Sequence, residues 1–272
     1  MLIYGKEIRE KIKEDISKRA QQIHMSMAIV RVGEDPSSEA YIKGIVKFGE
    51  DAGVKVDIIR IPGDASETEV IKVIEELNHD SDVTGIMLQK PLPAHINDNH
   101  IVNAIAFAKD VEGIHNYNLG KLISKEPGVK PCTPAACIAM LKENNIELEG
   151  KKVTIIGRSA ILGSPLTIMM IAENATVTVC HTRTRDLKAE TLAADIVIAA
   201  AGHINLVTAD MVTENTIIID AGINFDENGK MRGDVSEEAA AKARIASAVP
   251  GGVGVITVAE LYDNLKILSE QK

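Results

Sequence analysis

The sequence predicts an α/β fold of two parallel-sheet domains, the second of Rossmann type. Three observations lead there. Short apolar, β-branched runs alternate with amphipathic segments along the chain; a proline-rich interruption at residues 127–135 divides it; and a strand, a small-residue turn and a helix start succeed one another over residues 153–170. The 272 residues leave room for one large or two modest domains.

Ile8, Ile12, Ile16 and Ala20 recur every four residues among charged neighbours, which marks an amphipathic first helix. Residues 26–32 form a short apolar strand. Residues 37–52 have helix composition, weakened at Gly44 and Gly49 by about 1 kcal/mol each, and 54–61 alternate as a strand. Ser66-Glu67-Thr68-Glu69 is a capping box that opens a helix through Leu77. A buried-type strand over 84–88 ends at Gln89, and 101–107 reads as helix. Pro127, Gly128, Pro131 and Pro134 then break the pattern, and Thr133-Pro134 offers an N-cap followed by proline at the first helical position. Beyond this point strands at 153–156, 176–180, 196–200 and 216–220 alternate with helices from Ser164 and over 187–193. Asn228-Gly229 marks a hairpin between 223–225 and 230–232. After the glycine-rich loop 249–254, Thr257 with Glu260 caps a last helix carrying Val258, Leu261, Leu265 and Leu268. The proline-rich interruption places the domain boundary at residues 127–135.

Composition excludes several classes. Aromatic residues make up only 3% of the chain and tryptophan is absent, so the core must be aliphatic. Thirty basic against 39 acidic residues give a net charge of −9, which argues against a nucleic-acid partner. No apolar run approaches the ~18 residues of a membrane span, and the opening residues lack the charged and apolar regions of a signal peptide. Cys132, Cys137 and Cys180 cannot all pair and none sits in a zinc-type pair, which suits a reducing cytosol and no metal centre.

The chemistry concentrates at turns. Gly157-Arg158-Ser159-Ala160-Ile161-Leu162-Gly163 joins a strand to a helix, the context in which backbone N–H groups bind a pyrophosphate. The spacing departs from Gly-x-Gly-x-x-Gly by one residue, and Ser159 stands at the second glycine. The following strand ends about 20 residues on, where an acidic residue would hold the ribose 2′-hydroxyl of NAD. Here it ends in His181-Thr182-Arg183-Thr184, with no carboxylate. A hydroxyl and a guanidinium, with Arg158, suit the 2′-phosphate of NADP instead.

In chain order, Tyr41 after Pro36-Ser37-Ser38-Glu39-Ala40, Gln89-Lys90-Pro91-Leu92-Pro93, Lys109-Asp110-Val111-Glu112-Gly113, Pro131-Cys132-Thr133-Pro134, the 157–163 turn, Asp220-Ala221-Gly222-Ile223-Asn224 and Pro250-Gly251-Gly252-Val253-Gly254 resemble the methylenetetrahydrofolate dehydrogenase/cyclohydrolase family over nearly the whole chain. The resemblance implies a homodimer whose two domains, 1–132 completed by 257–272 and 133–256, hold a tetrahydrofolate derivative and NADP in the cleft between them, and hydride transfer from 5,10-methylenetetrahydrofolate to NADP. It assigns catalysis to Gln89, Tyr41 and Glu112: Tyr41 stacks on the pterin and aminobenzoyl portion, Gln89 lies beside the reacting carbon, and Glu112 pairs with the amino-pyrimidine edge. Pro91, Leu92, Gly251 and Gly252 complete the folate site. Gly157, Arg158, Ser159, Gly163, His181, Thr182, Arg183, Ala201, Gly202 and Ile223 are the implied cofactor contacts.

Two departures bear on activity. The family's lysine four residues after the tyrosine, credited with the cyclohydrolase step, is Ile45 here. Lys43 and Lys47 lie about 200° around the helix from it and cannot substitute; Lys90 is the one nearby candidate. The family's Asp-Val-Asp-Gly is Asp110-Val111-Glu112-Gly113, which lengthens the second carboxylate by a methylene. The expected activity is therefore an NADP-dependent dehydrogenase with cyclohydrolase weakened or lost. The alternatives are a fully bifunctional enzyme and a catalytically silent folate- or dinucleotide-binding module.

Overall fold

The computed structural model describes residues 1–271. The chain divides into two compact units: Lys11–Cys132 with the residues from Val258 onward, and Met1–Glu10 with Thr133–Thr257. Two elements open the chain, β1 (Leu2–Ile3) and α1 (Lys6–Ala20).

The first unit continues with β2 (Ser26–Val32), α2 (Pro36–Ala52), β3 (Lys55–Ile61), α3 (Glu67–His79), β4 (Gly85–Leu88), α4 (Asp98–Ala104) and α5 (Asn116–Ser124). Its parallel sheet has the order β3-β2-β4. The central strand β2 is buried along its whole length, which is why residues 26–32 show no alternation. On one face Met27, Ile29 and Met87 pack with Ile45 and Phe48 of α2 and with Tyr262 and Leu265. On the other, Ala28, Val30, Ile86 and Leu88 meet Val70 and Ile74 of α3 and Ile101 of α4. The capping box at Ser66 and Glu69 is formed as expected. The helix expected over 101–107 lies earlier, because the Asn97 side chain accepts the N–H groups of Asn99 and His100 and starts α4 there. Helix α5 was not expected from the sequence; His115 caps it by accepting the Tyr117 N–H.

The second unit holds α6 (Cys132–Glu143), β5 (Lys152–Ile156), α7 (Gly163–Ala172), β6 (Thr176–Cys180), α8 (Leu187–Leu192), β7 (Ile196–Ala199), β8 (Ile217–Asp220), a hairpin of β9 (Asn224–Phe225) and β10 (Met231–Arg232), α9 (Glu237–Lys242), β11 (Ile245–Ser247) and the start of α10 (Val253–Ser269). Three expectations are corrected here. Helix α6 begins at Cys132, so Thr133 and Pro134 sit inside its first turn rather than capping it. Helix α10 begins at Val253, and the Thr257 hydroxyl donates back to the Val253 carbonyl at 3.2 Å instead of capping a helix. Residues 1–10 group with this unit because β1 pairs in parallel with β11, Leu2 opposite Ala246 and Ile3 opposite Ser247.

The six strands run parallel in the order β1-β11-β8-β7-β5-β6. From β5 the chain moves outward to β6, then returns across β5 to β7. That reversal opens a crevice beyond the carboxyl ends of β5 and β7, the place where doubly wound sheets bind ligands. Among the described residues no helix is long and apolar enough to cross a membrane.

Candidate functional site

The turn after β5 is built for close approach. Gly157 has φ +130°, and a Cβ on it would run into the Ala200 carbonyl oxygen; one on Gly163 would run into the carbonyl oxygen of Gly157. The Gly157 N–H goes to the Cys180 carbonyl at 2.9 Å and that of Ser164 to the Ser159 carbonyl at 3.0 Å. Between them the N–H groups of residues 158–162 take no partner among the described residues. Such a run of exposed N–H groups at a helix start is an anion-binding concavity.

Two guanidinium groups border it from the sequence-predicted positions. Arg158 and Arg183 are exposed and neither forms an ion pair among the described residues. His181 holds the turn after β6: its N–H donates to Thr184 Oγ1 at 2.9 Å and its Nδ1 accepts the Arg183 N–H at 3.1 Å. The next carboxylate, Asp186, is occupied in capping α8 by accepting the Ala189 N–H. An open backbone concavity, unpaired arginines and the free Thr182 side chain fit a dinucleotide diphosphate and a ribose 2′-phosphate.

Ala201 and Gly202 leave the end of β7, and Ile223, 60% exposed, leaves β8. Their loops are tied by two carboxylates: Asp220, which sequence reasoning had only as the start of the 220–224 motif, and Asp234, which it missed. Each stands within two residues of a glycine whose Cβ would collide with the other carboxylate: Gly222 with Asp234 and Gly233 with Asp220. That pairing of glycine with aspartate at a strand exit was the available signal. Gly251 and Gly252 lie in the turn leading into α10; Gly251 has φ +103° and its carbonyl accepts the Gly5 N–H at 2.9 Å.

In the first unit the predicted side chains gather around the end of β4. Tyr41 on α2 is 37% exposed, and its hydroxyl is pushed up by burial, with Cys132 and Glu112 adding to the shift. Burial, then the charge of Asp110, pushes the Glu112 carboxyl up to about 7, opposed by the Leu88 N–H and by Lys90. The Leu88 N–H donates to Glu112 Oε2 at 3.2 Å. Asp110 fixes the loop that presents Glu112, accepting the N–H groups of Glu112, Gly113 and His115 and the Asn118 amide at 2.8–3.2 Å.

Gln89 is 6% exposed. Its Nε2 donates to the Lys90 carbonyl at 2.6 Å and to Ser38 Oγ at 3.2 Å, and Ser38 donates to Asp35 at 2.7 Å. These contacts fix which end of the amide is nitrogen, and they leave Oε1 buried with no partner. A buried acceptor held without a donor carries a desolvation cost that a bound group can relieve. Pro91, after a cis peptide bond, is exposed, and Leu92 is half-buried against the core.

The lysine question has a structural answer at each position. Ile45 is fully buried in the apolar core, and its carbonyl accepts the Tyr262 hydroxyl at 2.7 Å. Lys43 and Lys47 are exposed, Lys47 pairing with Asp51. The Lys90 ammonium lies 3.4 Å from Asp98.

Two family models match the chain: the tetrahydrofolate dehydrogenase/cyclohydrolase catalytic domain over residues 3–112, and the NAD(P)-binding domain of the same family over 131–272. Among curated relatives, the bifunctional protein FolD 2 of Syntrophomonas wolfei is 65% identical over the full length of both chains. Bifunctional protein FolD of Moorella thermoacetica is 43% identical, over 95% of this chain and 93% of its own. The crystal structure of the bifunctional methylenetetrahydrofolate dehydrogenase/cyclohydrolase FolD from Campylobacter jejuni superposes with a TM-score of 0.97 at 40% identity, covering 100% of this chain and 99% of that one. The Trypanosoma brucei enzyme, solved with NADP cofactor and an inhibitor, gives 0.93 at 27% identity, covering 100% and 97%.

Proposed function

The chain belongs to the tetrahydrofolate dehydrogenase/cyclohydrolase family, and on that premise we propose that it oxidises 5,10-methylenetetrahydrofolate to 5,10-methenyltetrahydrofolate with NADP, its cyclohydrolase activity being weak. The observation that carries the second half is Ile45: a hydrocarbon side chain, fully buried, where the family places its lysine. NADP supplies the hydride acceptor. The Arg158, Thr182 and Arg183 side chains hold its 2′-phosphate, the N–H groups from Arg158 and Ser159 its diphosphate, and Gly157 and Gly163 allow the approach. Ala201, Gly202, Ile223 and the His181 turn border the rest.

On the folate side, Tyr41 stacks on the ring system and Glu112 binds the amino-pyrimidine edge, with Pro91 and Leu92 beside them; Gly251 and Gly252 are further folate contacts by the family resemblance alone. Loss of a hydride from the methylene carbon leaves a cation and releases no proton, so this step needs the protein chiefly for orientation. Gln89 suits that role, because its unpaired Oε1 is a neutral acceptor beside a carbon that becomes positive. Hydration of the methenyl cation is different, because water must lose a proton to a base. Ile45 cannot take that proton, and Lys90 is engaged with Asp98.

The rival reading is the fully bifunctional enzyme that yields 10-formyltetrahydrofolate. It is favoured by the 65%-identical relative, which bears a bifunctional name. A cytoplasmic homodimer without nucleic-acid or membrane partners completes the proposal. Following methenyltetrahydrofolate absorbance from methylenetetrahydrofolate with and without NADP, and then from methenyltetrahydrofolate alone, reads both activities. Oxidation without NADP dependence, or none at all, would overturn the dehydrogenase assignment.

A further inference from the structure

We infer that Asp234 is the positioning residue that preforms the cofactor-side loops after β7 and β8, and that by doing so it decides which backbone concavity receives the diphosphate. Asp234 is fully buried. Its Oδ2 accepts the N–H groups of Ala201 at 2.6 Å and Gly202 at 2.9 Å, and its Oδ1 accepts that of His203 at 2.8 Å and the Asn224 amide at 2.9 Å. Three consecutive N–H groups converging on one anion form the same kind of concavity that binds phosphates. Here the chain fills it with its own carboxylate.

A second carboxylate holds the first in place. Asp220, at the end of β8, accepts the N–H groups of Gly222 at 3.0 Å, Asp234 at 3.1 Å and Val235 at 3.0 Å. The loop after β7, the loop after β8 and the segment 233–235 are therefore fixed to one another through two buried side chains. Gly222 and Gly233 are glycines because any Cβ there would displace those carboxylates.

The consequence concerns the two neighbouring strands that flank the crevice. After β5 the N–H groups of 158–162 are open; after β7 those of 201–203 are closed by a negative charge. A diphosphate is accepted at the first and repelled from the second, so the dinucleotide has one direction in which to lie. This rests on the reading of residues 157–163 and 201–202 as cofactor contacts.

The test uses Asp234→Asn, and Asn224→Ala as a milder cut into the same cluster. NADP affinity is measured by titration, folate affinity likewise, melting temperature by scanning, and amide hydrogen exchange at 201–203 in the cofactor-free protein. Charge-assisted bonds to backbone N–H groups are lost, so the NADP dissociation constant should rise roughly 10-fold or more in Asp234→Asn, with faster exchange at 201–203 and folate affinity unchanged. Asn224→Ala should move NADP affinity in the same direction by less. If Asp234→Asn fails to fold, Asn224→Ala decides alone. A folded variant with lowered melting temperature but wild-type NADP affinity would make the role merely structural and overturn the inference. Wild-type protein that does not bind NADP would instead sink the cofactor reading on which it rests.

Discussion

Replacing Ile45 with lysine separates the two activities. Ile45 lies one turn beyond Tyr41 on α2, about 40° around the axis at 100° per residue, and helical side chains lean toward the N-terminus. A lysine stem at 45 would therefore run toward Tyr41 and the site beyond it. The position is fully buried among Phe48, Tyr262 and their neighbours, so the substitution removes isoleucine burial worth ~1.5–3 kcal/mol and adds an ammonium that must escape the core. A fall in melting temperature of roughly 5–10 °C is expected. Against that cost, positioned general catalysis contributes ~10²–10⁴-fold. The native protein should hydrolyse methenyltetrahydrofolate roughly 10²-fold or more slowly than it forms it, so that this product accumulates during turnover. The variant should keep its dehydrogenase rate within a few-fold and gain hydrolysis. The assay is the absorbance of methenyltetrahydrofolate, with NADPH followed in parallel. A native hydrolysis rate equal to the oxidation rate would refute the reasoning. So would a folded Ile45→Lys that oxidises normally and hydrolyses no faster.

Three further outcomes follow from the same geometry. Arg158→Ala removes an exposed, unpaired guanidinium and should raise the NADP dissociation constant roughly 10- to 150-fold, with little effect on NAD; equal losses for both would contradict the 2′-phosphate assignment. Tyr41→Ala should weaken folate while leaving NADP binding intact, because the ring is part-exposed at 37%; joint loss of both ligands with a collapsed melting curve would mark the tyrosine as structural. Burial raises Glu112 and Glu260 to about 7 and Asp220 to about 6, so the folded chain retains protons that the unfolded chain, with carboxyls at 4.5 and 3.8, has released. Folded pKa values above the unfolded ones mean that stability is lost as pH rises through 6–7. The melting temperature should be higher at pH 6 than at pH 8, and Glu112→Gln should flatten that slope. An unchanged slope in Glu112→Gln would assign the effect to other groups.

Much of this molecule was legible in its sequence because the relevant forces are local. Strand and helix periodicity and the capping box at Ser66 and Glu69 each depend on neighbours within a few residues, and Gly163 is required by the Gly157 carbonyl of its own turn. The Ile45 departure was equally readable, since it needs only the four-residue offset from Tyr41. Tertiary structure decided the rest through contacts between distant segments. Strand β1 joined the second unit because its two residues found β11 about 240 positions away. Helix α10 began at Val253, four residues before Thr257, whose hydroxyl bonds the carbonyl one turn back instead of capping the helix. The Gln89 oxygen became an orphan only once Ser38 and the Lys90 carbonyl had taken its nitrogen. Asp234 gained its role from N–H groups more than 30 positions earlier in the chain. A carboxylate's hydrogen-bond partners are set by which backbones converge on it in space, and no pattern along the chain encodes that convergence.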